Sequence, residues 1–355
     1  MKIIHLTTFL NFGGIERKKE NLSFWNDDNE WVYVAINKGG AAEGKIQQNG
    51  KRVEILNLPY KIPSLSTVYQ LYNFFKKEAP DVIHTSGAEA NFHGVIAGKL
   101  ANVPRIVCED WGSDTQSKTA NLIFKYIFKL ANSVIGESGM VVKSLMLKYN
   151  LSKKKVAKIY NFIDIPTEQN LVKESQQVIT IISVARLVEK KRIEVSLRVI
   201  AKLIKNGYNL RFKILGDGPL LEPLQNYTKE LEIDDQVEFL GFITNPLTYI
   251  KQADIYLSTS NNEGFSNSLL EAMAMKLVSV TTLVGGVEDI IVNGKNGFIT
   301  SVIDEENIYQ NLKTVLDMSE SERRKIGENS YNTVKIGFSL KGHIQSLMKI
   351  YNKNA

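Results

Sequence analysis

Apolar residues come along this chain in short runs, separated by stretches where they recur every third or fourth position. In the first half the runs are Lys2–Leu6, Trp31–Ile36, Val53–Leu56, Val82–His84, Arg105–Cys108, Ser133–Gly136 and Ala157–Tyr160. Between them Leu65–Lys77, Ala90–Leu100 and Lys118–Leu130 have helical spacing, and a helix is expected from about Ile15, after the turn Asn11-Phe12-Gly13-Gly14. Such alternation predicts a parallel sheet with helices on both faces. Pro80, Pro104 and Pro166 punctuate connections rather than element interiors. The polar stretch Thr167–Gln177 reads as a linker. A second alternation follows it, with strands at Val178–Val184, Arg211–Leu215, Val237–Leu240, Asp254–Leu257 and Val278–Val280. The expected architecture is α/β: two doubly wound, Rossmann-like domains over 1–165 and 166–335, facing across a cleft. Residues 336–355 are expected as a C-terminal helix that packs back on the first domain. Each domain would bind ligand at the carboxyl ends of its strands.

Candidate chemistry gathers at those ends in the second domain. Asp254 to Met273 reads as a strand, a loop holding Glu263 and Gly264, and a helix from near Ser266 or Asn267 that carries Glu271. A helix N-terminus offers free N–H groups to an anion, so two flanking carboxylates call for other partners. Taken singly, Glu263 is an ordinary loop acid, and Ser268-Leu269-Leu270-Glu271 matches a capping box. Arg186 and Lys191 follow an apolar strand and offer a fork and a point charge suited to a diphosphate. Leu215-Gly216-Asp217-Gly218-Pro219 reads best as a tight turn into a helix. In Phe239-Leu240-Gly241-Phe242 the glycine lets backbone approach a flat ligand.

Composition narrows the setting. The chain has 355 residues, 43% hydrophobic and 23% charged, as expected of a soluble two-domain protein. Its one cysteine, Cys108, excludes an internal disulfide and fits a reducing compartment. MKIIHLTTFL is too short in apolar run for a signal peptide, and no apolar stretch spans a bilayer. Residues 1–165 hold 22 basic and 15 acidic side chains, a net +7; the rest hold 22 and 23. A basic first half suggests an anionic partner, either a phosphorylated acceptor or an anionic membrane surface. Nucleic acid is not expected, because no basic-aromatic recognition motif appears. Lys118, Lys125 and Lys129 fall near one stripe of their helix. That permits a membrane-surface helix, but the pattern favours a core helix with one solvated lysine edge.

The ordered motifs carry a resemblance. EGFSNSLLE resembles the Glu-x7-Glu signature of the retaining GT-B glycosyltransferases of family 4, also called group 1. Gly13-Gly14-Ile15-Glu16-Arg17, Asn161-Phe162-Ile163-Asp164, Arg186-x4-Lys191, GDGPL, FLGF, Gly285-Gly286-Val287-Glu288 and Asn296-Gly297-Phe298 resemble further family motifs in the family's order. The resemblance covers nearly the whole chain. It implies a GT-B fold and a hexosyltransferase-type enzyme with a nucleotide-sugar donor, a UDP-sugar or one with another base. Arg186 and Lys191 would hold the donor diphosphate, and Glu263 would touch the sugar hydroxyls. Gly264, Phe265, Ser266, Asn267 and Ser268 would lie along sugar and phosphates, Glu271 would take the ribose hydroxyls, and Phe242 would border the base. Gly13 and Gly14 would approach the diphosphate from the first domain. No cofactor and no metal is implied: no Asp-x-Asp occurs, and His5, His84, His93 and His343 are scattered.

One departure stands out. Family members commonly carry a histidine after the strand matching Arg105–Cys108, whereas this chain has Glu109 and Asp110 there. Either acid is a candidate to bind sugar hydroxyls or help deprotonate an acceptor. A second common histidine is Ser86 here; His93 is available, but its helical setting favours a structural role. The resemblance thus implies a cytoplasmic enzyme, peripheral at the inner membrane face, that glycosylates a glycan or lipid-linked acceptor in bacterial surface polysaccharide synthesis. A donor-binding, non-catalytic subunit and a nucleotide-sugar epimerase are the alternatives.

Overall fold

The computed structural model describes residues 1–11, 13–110, 117–163, 178–302 and 304–353. The chain forms two compact units, Met1–Phe162 with Leu340–Ala355, and Ile163–Ser339. The expected boundary at 165/166, Pro166, the polar stretch 167–177, and Phe12 and Asp164 of the quoted motifs lie outside the described residues.

In the first unit the strands are β1 (Lys2–Phe9), β2 (Glu30–Lys38), β3 (Arg52–Ile55), β4 (Val82–Ser86), β5 (Arg105–Asp110), β6 (Ser133–Gly136) and β7 (Val156–Lys158). The helices between them are α1 (Gly14–Leu22), α2 (Ala41–Gln48), α3 (Leu65–Glu78), α4 (Ala88–Leu100), α5 (Lys118–Leu130) and α6 (Gly139–Tyr149). The sheet is parallel, in the order β3-β2-β1-β4-β5-β6-β7. Its strands are apolar runs because both faces are covered. Leu6, Val34, Ile83 and Ile106 pack beneath α3, α4 and α5 on one face; Ile3, Tyr33 and Val107 pack on the other.

The second unit holds β8 (Ile179–Val184), β9 (Leu210–Leu215), β10 (Val237–Gly241), β11 (Ile255–Ser258), β12 (Val278–Thr282) and β13 (Phe298–Thr300). Its helices are α7 (Ile193–Lys205), α8 (Leu221–Glu230), α9 (Leu247–Ile250), α10 (Asn267–Ala274), α11 (Val287–Ile290), α12 (Glu305–Asp317) and α13 (Glu320–Gly337). The parallel order is β10-β9-β8-β11-β12-β13. Strand β13, carried by Asn296-Gly297-Phe298, is an addition to the strands expected from periodicity. The last helix, α14 (Leu340–Tyr351), belongs to the first unit, where Ile344, Leu347 and Tyr351 join the core under β1 and β2. Residues 336 and 337 still belong to α13.

Strand order reverses direction between β1 and β4 in one unit and between β8 and β11 in the other. Loops leaving such neighbouring strands diverge and open a crevice at their carboxyl ends. The loops that follow β8 and β11 carry Arg186, Lys191 and the Glu263 segment.

Candidate active site

After β8 the chain passes Arg186 and makes a single 3-10 turn, Glu189–Lys191, before α7. After β11 it runs through Thr259 to Ser266 into α10. Main-chain and hydroxyl bonds stitch these two loops together. Asn261 N–H donates to the Lys190 carbonyl at 3.0 Å, and Thr259 Oγ1 donates to the Arg192 carbonyl at 2.8 Å. The result is an ion pair between Lys191 Nζ and the Glu263 carboxylate, whose side chains are only 17% and 10% exposed. Burial lowers the Lys191 ammonium to about 8, with Lys190 adding to the push. The Glu263 carboxylate in contact works the other way and keeps it charged at neutral pH. Arg186 is exposed beside this pair in sequence and has no ion-pair partner among the described residues.

Two glycine loops buttress the stitched pair. A Cβ on Gly216 would stand 1.8 Å from the Ala185 carbonyl oxygen, and one on Gly218 would stand 2.4 Å from that of Leu187. The turn after β9 therefore lies backbone to backbone on the Arg186 loop, tied by Leu187 N–H to the Asp217 carbonyl at 2.9 Å. Gly285, at φ +57, packs likewise: a Cβ there would meet the Glu263 carbonyl oxygen at 2.4 Å and that of Gly264 at 2.8 Å. These supports were not assigned from the sequence, although GDGP and Gly285-Gly286 were visible there; a tight glycine turn does not say which backbone it approaches.

Ser266 caps α10, its Oγ accepting from Leu269 N–H at 3.3 Å. This overturns the capping-box alternative for Glu271. Ser268 is the second helical residue, and its hydroxyl instead bonds the Tyr256 hydroxyl at 2.8 Å. Glu271 lies a turn into the helix, buried, and close enough to Tyr256 to add to the upward push that burial gives that phenol. Gly264, Phe265 and Asn267 are half-buried along the same segment. Phe242 follows the edge strand β10 and is 67% exposed. Along the sheet edge the order is thus Phe242 after β10, Asp217 after β9, Arg186 and Lys191 after β8, and Glu263 after β11.

Gly13 and Gly14 lie in the first unit, at the start of α1. A Cβ on Gly14 would meet nothing within 4 Å, whereas one on Gly13 would run into the Glu16 carboxylate, which folds back over the helix start. Behind it α1 sends two lysines into the sheet. Lys18 Nζ contacts one oxygen of Glu109, and Lys19 Nζ lies 3.6 Å from the other. Ser86 Oγ donates to Glu109 at 2.9 Å. Burial pushes the Glu109 carboxyl up, but Lys18 and Lys19 outweigh it and hold the group well below the carboxylate range. His84, lowered by burial to about 4, is neutral and pairs through Nδ1 with the Tyr351 hydroxyl at 2.6 Å. Glu109 is therefore enclosed as the counter-charge of two lysines, while Asp110 ends β5 half-buried. Residues 111–114 after it lie outside the described residues. His93 is a structural histidine: Nδ1 donates to the Glu89 carbonyl at 2.9 Å and Nε2 accepts from Ser64 N–H at 3.2 Å.

Comparison with known proteins adds the following. Residues 164–333 match the family described as Glycosyl transferases group 1, and residues 30–166 match Glycosyltransferase Family 4. A Campylobacter jejuni N-acetylgalactosamine-N,N'-diacetylbacillosaminyl-diphospho-undecaprenol 4-alpha-N-acetylgalactosaminyltransferase is 28% identical over 257 residues, 68% of each chain. The Staphylococcus aureus capsular polysaccharide biosynthesis glycosyltransferase CapM is 21% identical over 376 residues, 99% of this chain and 97% of its own. In fold, the Anabaena protein HepE, solved in complex with UDP, superposes with a TM-score of 0.86 at 20% identity over 98% of this chain and 99% of its own.

Proposed function

The chain belongs to the group 1, family 4 glycosyltransferases, with the GT-B fold and a hexosyltransferase-type activity, and on that premise we propose what it transfers and how. The donor is a UDP-sugar and the acceptor a hydroxyl of a lipid-diphosphate-linked glycan, in bacterial surface polysaccharide assembly. UDP in the HepE complex and the diphospho-undecaprenol acceptor of the Campylobacter relative support these choices. The enzyme is peripheral at the cytoplasmic face of a membrane; among the described residues no helix is long and apolar enough to cross one.

The observation that carries the reading is the Lys191–Glu263 pair at the point where the strand order reverses. Adjacent strands are about 4.8 Å apart, so Phe242 to Glu263 spans four strand ends, on the order of 14 Å. That leaves room for a nucleotide diphosphate sugar across these loops, with its ribose and sugar both turned towards the segment after β11 that carries Glu263 and Glu271. The base lies towards Phe242, ribose against Glu271, diphosphate on Arg186 and Lys191, and sugar at Glu263. The N-terminus of α10 adds its dipole to the phosphate end. Before donor arrives Glu263 neutralises Lys191. The diphosphate competes for that ammonium and leaves the carboxylate to accept from sugar hydroxyls. As the sugar–phosphate bond breaks, charge grows on the leaving diphosphate, where Arg186 and Lys191 stabilise it in place of a metal ion. The departing phosphate oxygen takes the acceptor's proton, and attack on the same face retains the anomeric configuration.

The test is transfer from UDP-sugars to a short-chain polyprenyl-diphosphate disaccharide, with the anomeric configuration of the product read by NMR. Retained configuration in the presence of chelator supports the mechanism. An inverted product, activity only with added metal, or epimerised donor without transfer overturns it.

A further inference from the structure

Helix α5 does not behave as the core helix its pattern favoured. It buries only Phe124, Ile127 and Phe128. Leu122, Ile123, Tyr126 and Leu130 are exposed, at 54%, 39%, 60% and 45%. At 100° per residue these four form one continuous stripe, flanked on one side by Lys118, Lys125 and Lys129. The neighbouring helix α6, joined to α5 through the Phe128–Tyr149 ring contact at 4.9 Å, repeats the theme. It exposes Met140 and Leu147 on one face, with Lys143 between them. From 118 to 155 the chain has eight lysines and one acid, Glu137, which is buried. Lys118, Lys125, Lys129 and Lys143 make no ion pair among the described residues. On α7 and α12, by contrast, Lys313 pairs with Asp317 at 2.7 Å and Lys202 with Glu306 at 2.6 Å.

We propose that the exposed faces of α5 and α6 form a docking surface for an anionic lipid bilayer. Aliphatic and tyrosyl side chains on a helix face, bordered by lysines without acids, suit the boundary between headgroups and acyl chains. Lysine stems lie along the apolar boundary while their ammonium groups reach lipid phosphates. A protein partner would need a complementary acidic surface; a bilayer of anionic lipids supplies one without specific shape. The proposal rests on the lipid-linked acceptor for its purpose, because docking would bring the first unit to the plane in which that acceptor lies. Its evidence is the surface itself.

The test is co-sedimentation of the full chain with vesicles of phosphatidylcholine alone or mixed with phosphatidylglycerol. The wild type is expected to bind the anionic vesicles and to be released by salt. Lys118→Gln with Lys125→Gln and Lys129→Gln is expected to weaken binding about a hundredfold. Leu122→Ser with Tyr126→Ser weakens it on both lipid mixtures, and Ile336→Ser, exposed on α13, leaves it unchanged. Equal binding of wild type to both vesicles, or wild-type binding by the α5 variants, overturns the proposal. So does a change in oligomeric mass in those variants with vesicle binding intact, which would make the face a protein interface. Transfer to a water-soluble acceptor analogue is measured alongside: activity there with no vesicle binding sinks the docking surface alone, whereas vesicle binding with no transfer sinks the proposed reaction alone.

Discussion

Replacing Gly285 by alanine separates backbone strain from displacement of the site. Gly285 has φ +57, and an alanine in that left-handed region costs about 1–2 kcal/mol. Its Cβ would also stand 2.4 Å and 2.8 Å from the carbonyl oxygens of Glu263 and Gly264. Ordinary carbon–oxygen contacts lie near 3.3–3.6 Å, so the segment must retreat by about 1 Å. Both obstacles are main chain, so no side-chain rotation relieves them. Overpacking of this kind adds roughly 1–3 kcal/mol. Gly207 is the internal control: its φ is +88, and a Cβ there would meet nothing within 4 Å. Gly207→Ala should lose about 1–2 kcal/mol of stability and keep wild-type turnover. Gly285→Ala should lose the same strain energy plus the overpacking cost. Because it displaces the Glu263 main chain by about 1 Å, turnover should fall about a hundredfold. Thermal unfolding gives the first quantity and labelled sugar transfer the second. If Gly285→Ala turns over like Gly207→Ala, the packing of the glycine loop on Glu263 is irrelevant to the chemistry and the buttress argument fails.

Other outcomes follow from the buried charges. Lys191 loses its proton as pH rises through about 8, so kcat/KM for the donor should fall above that pH. Lys191→Arg should remove the alkaline fall even where it lowers the rate; a wild-type profile flat to pH 10 would refute the phosphate role. Glu109→Gln leaves Lys18 and Lys19 buried without their carboxylate, and should cost about 3–5 kcal/mol in urea unfolding. Loss of turnover at full stability would instead make Glu109 a reacting group. Burial raises the Glu137 carboxyl to about 8, with Lys18 opposing. Its folded pKa therefore lies above its unfolded value near 4.5, and the stability it contributes is lost as pH rises between those values. Glu137→Gln should flatten the melting temperature across that window; an unchanged slope would count against a buried neutral acid.

The sheets were legible because strands covered on both faces must be apolar runs, as β1, β8 and β12 show plainly. Strand limits were less so: β1 extends to Phe9 and β2 to Lys38, since ladder bonds continue past the apolar positions. The three-residue β13 is too short to show periodicity. For the site, Arg186, Lys191, Glu263 and Glu271 could be named from motif order, but not the contact between Lys191 and Glu263. That contact depends on Asn261 and Thr259 bonding main-chain carbonyls far away in sequence. The setting of Glu109 is fixed by the fold and not by its neighbours in sequence. A glutamate at a strand end suggests chemistry, and only the fold brings Lys18 and Lys19 from α1 onto it. The stripe on α5 was visible as lysines at helical spacing; which apolar residues beside them stay exposed is decided by where α4 and α6 pack.

The central claim is that the Lys191–Glu263 pair is the donor clamp of a sugar transferase. The rate of labelled sugar transfer from UDP-sugar by Lys191→Ala and by Glu263→Ala, each checked for an intact fold, tests it most directly. The account predicts that both fall by about two orders of magnitude or more. Wild-type turnover in either variant would contradict it.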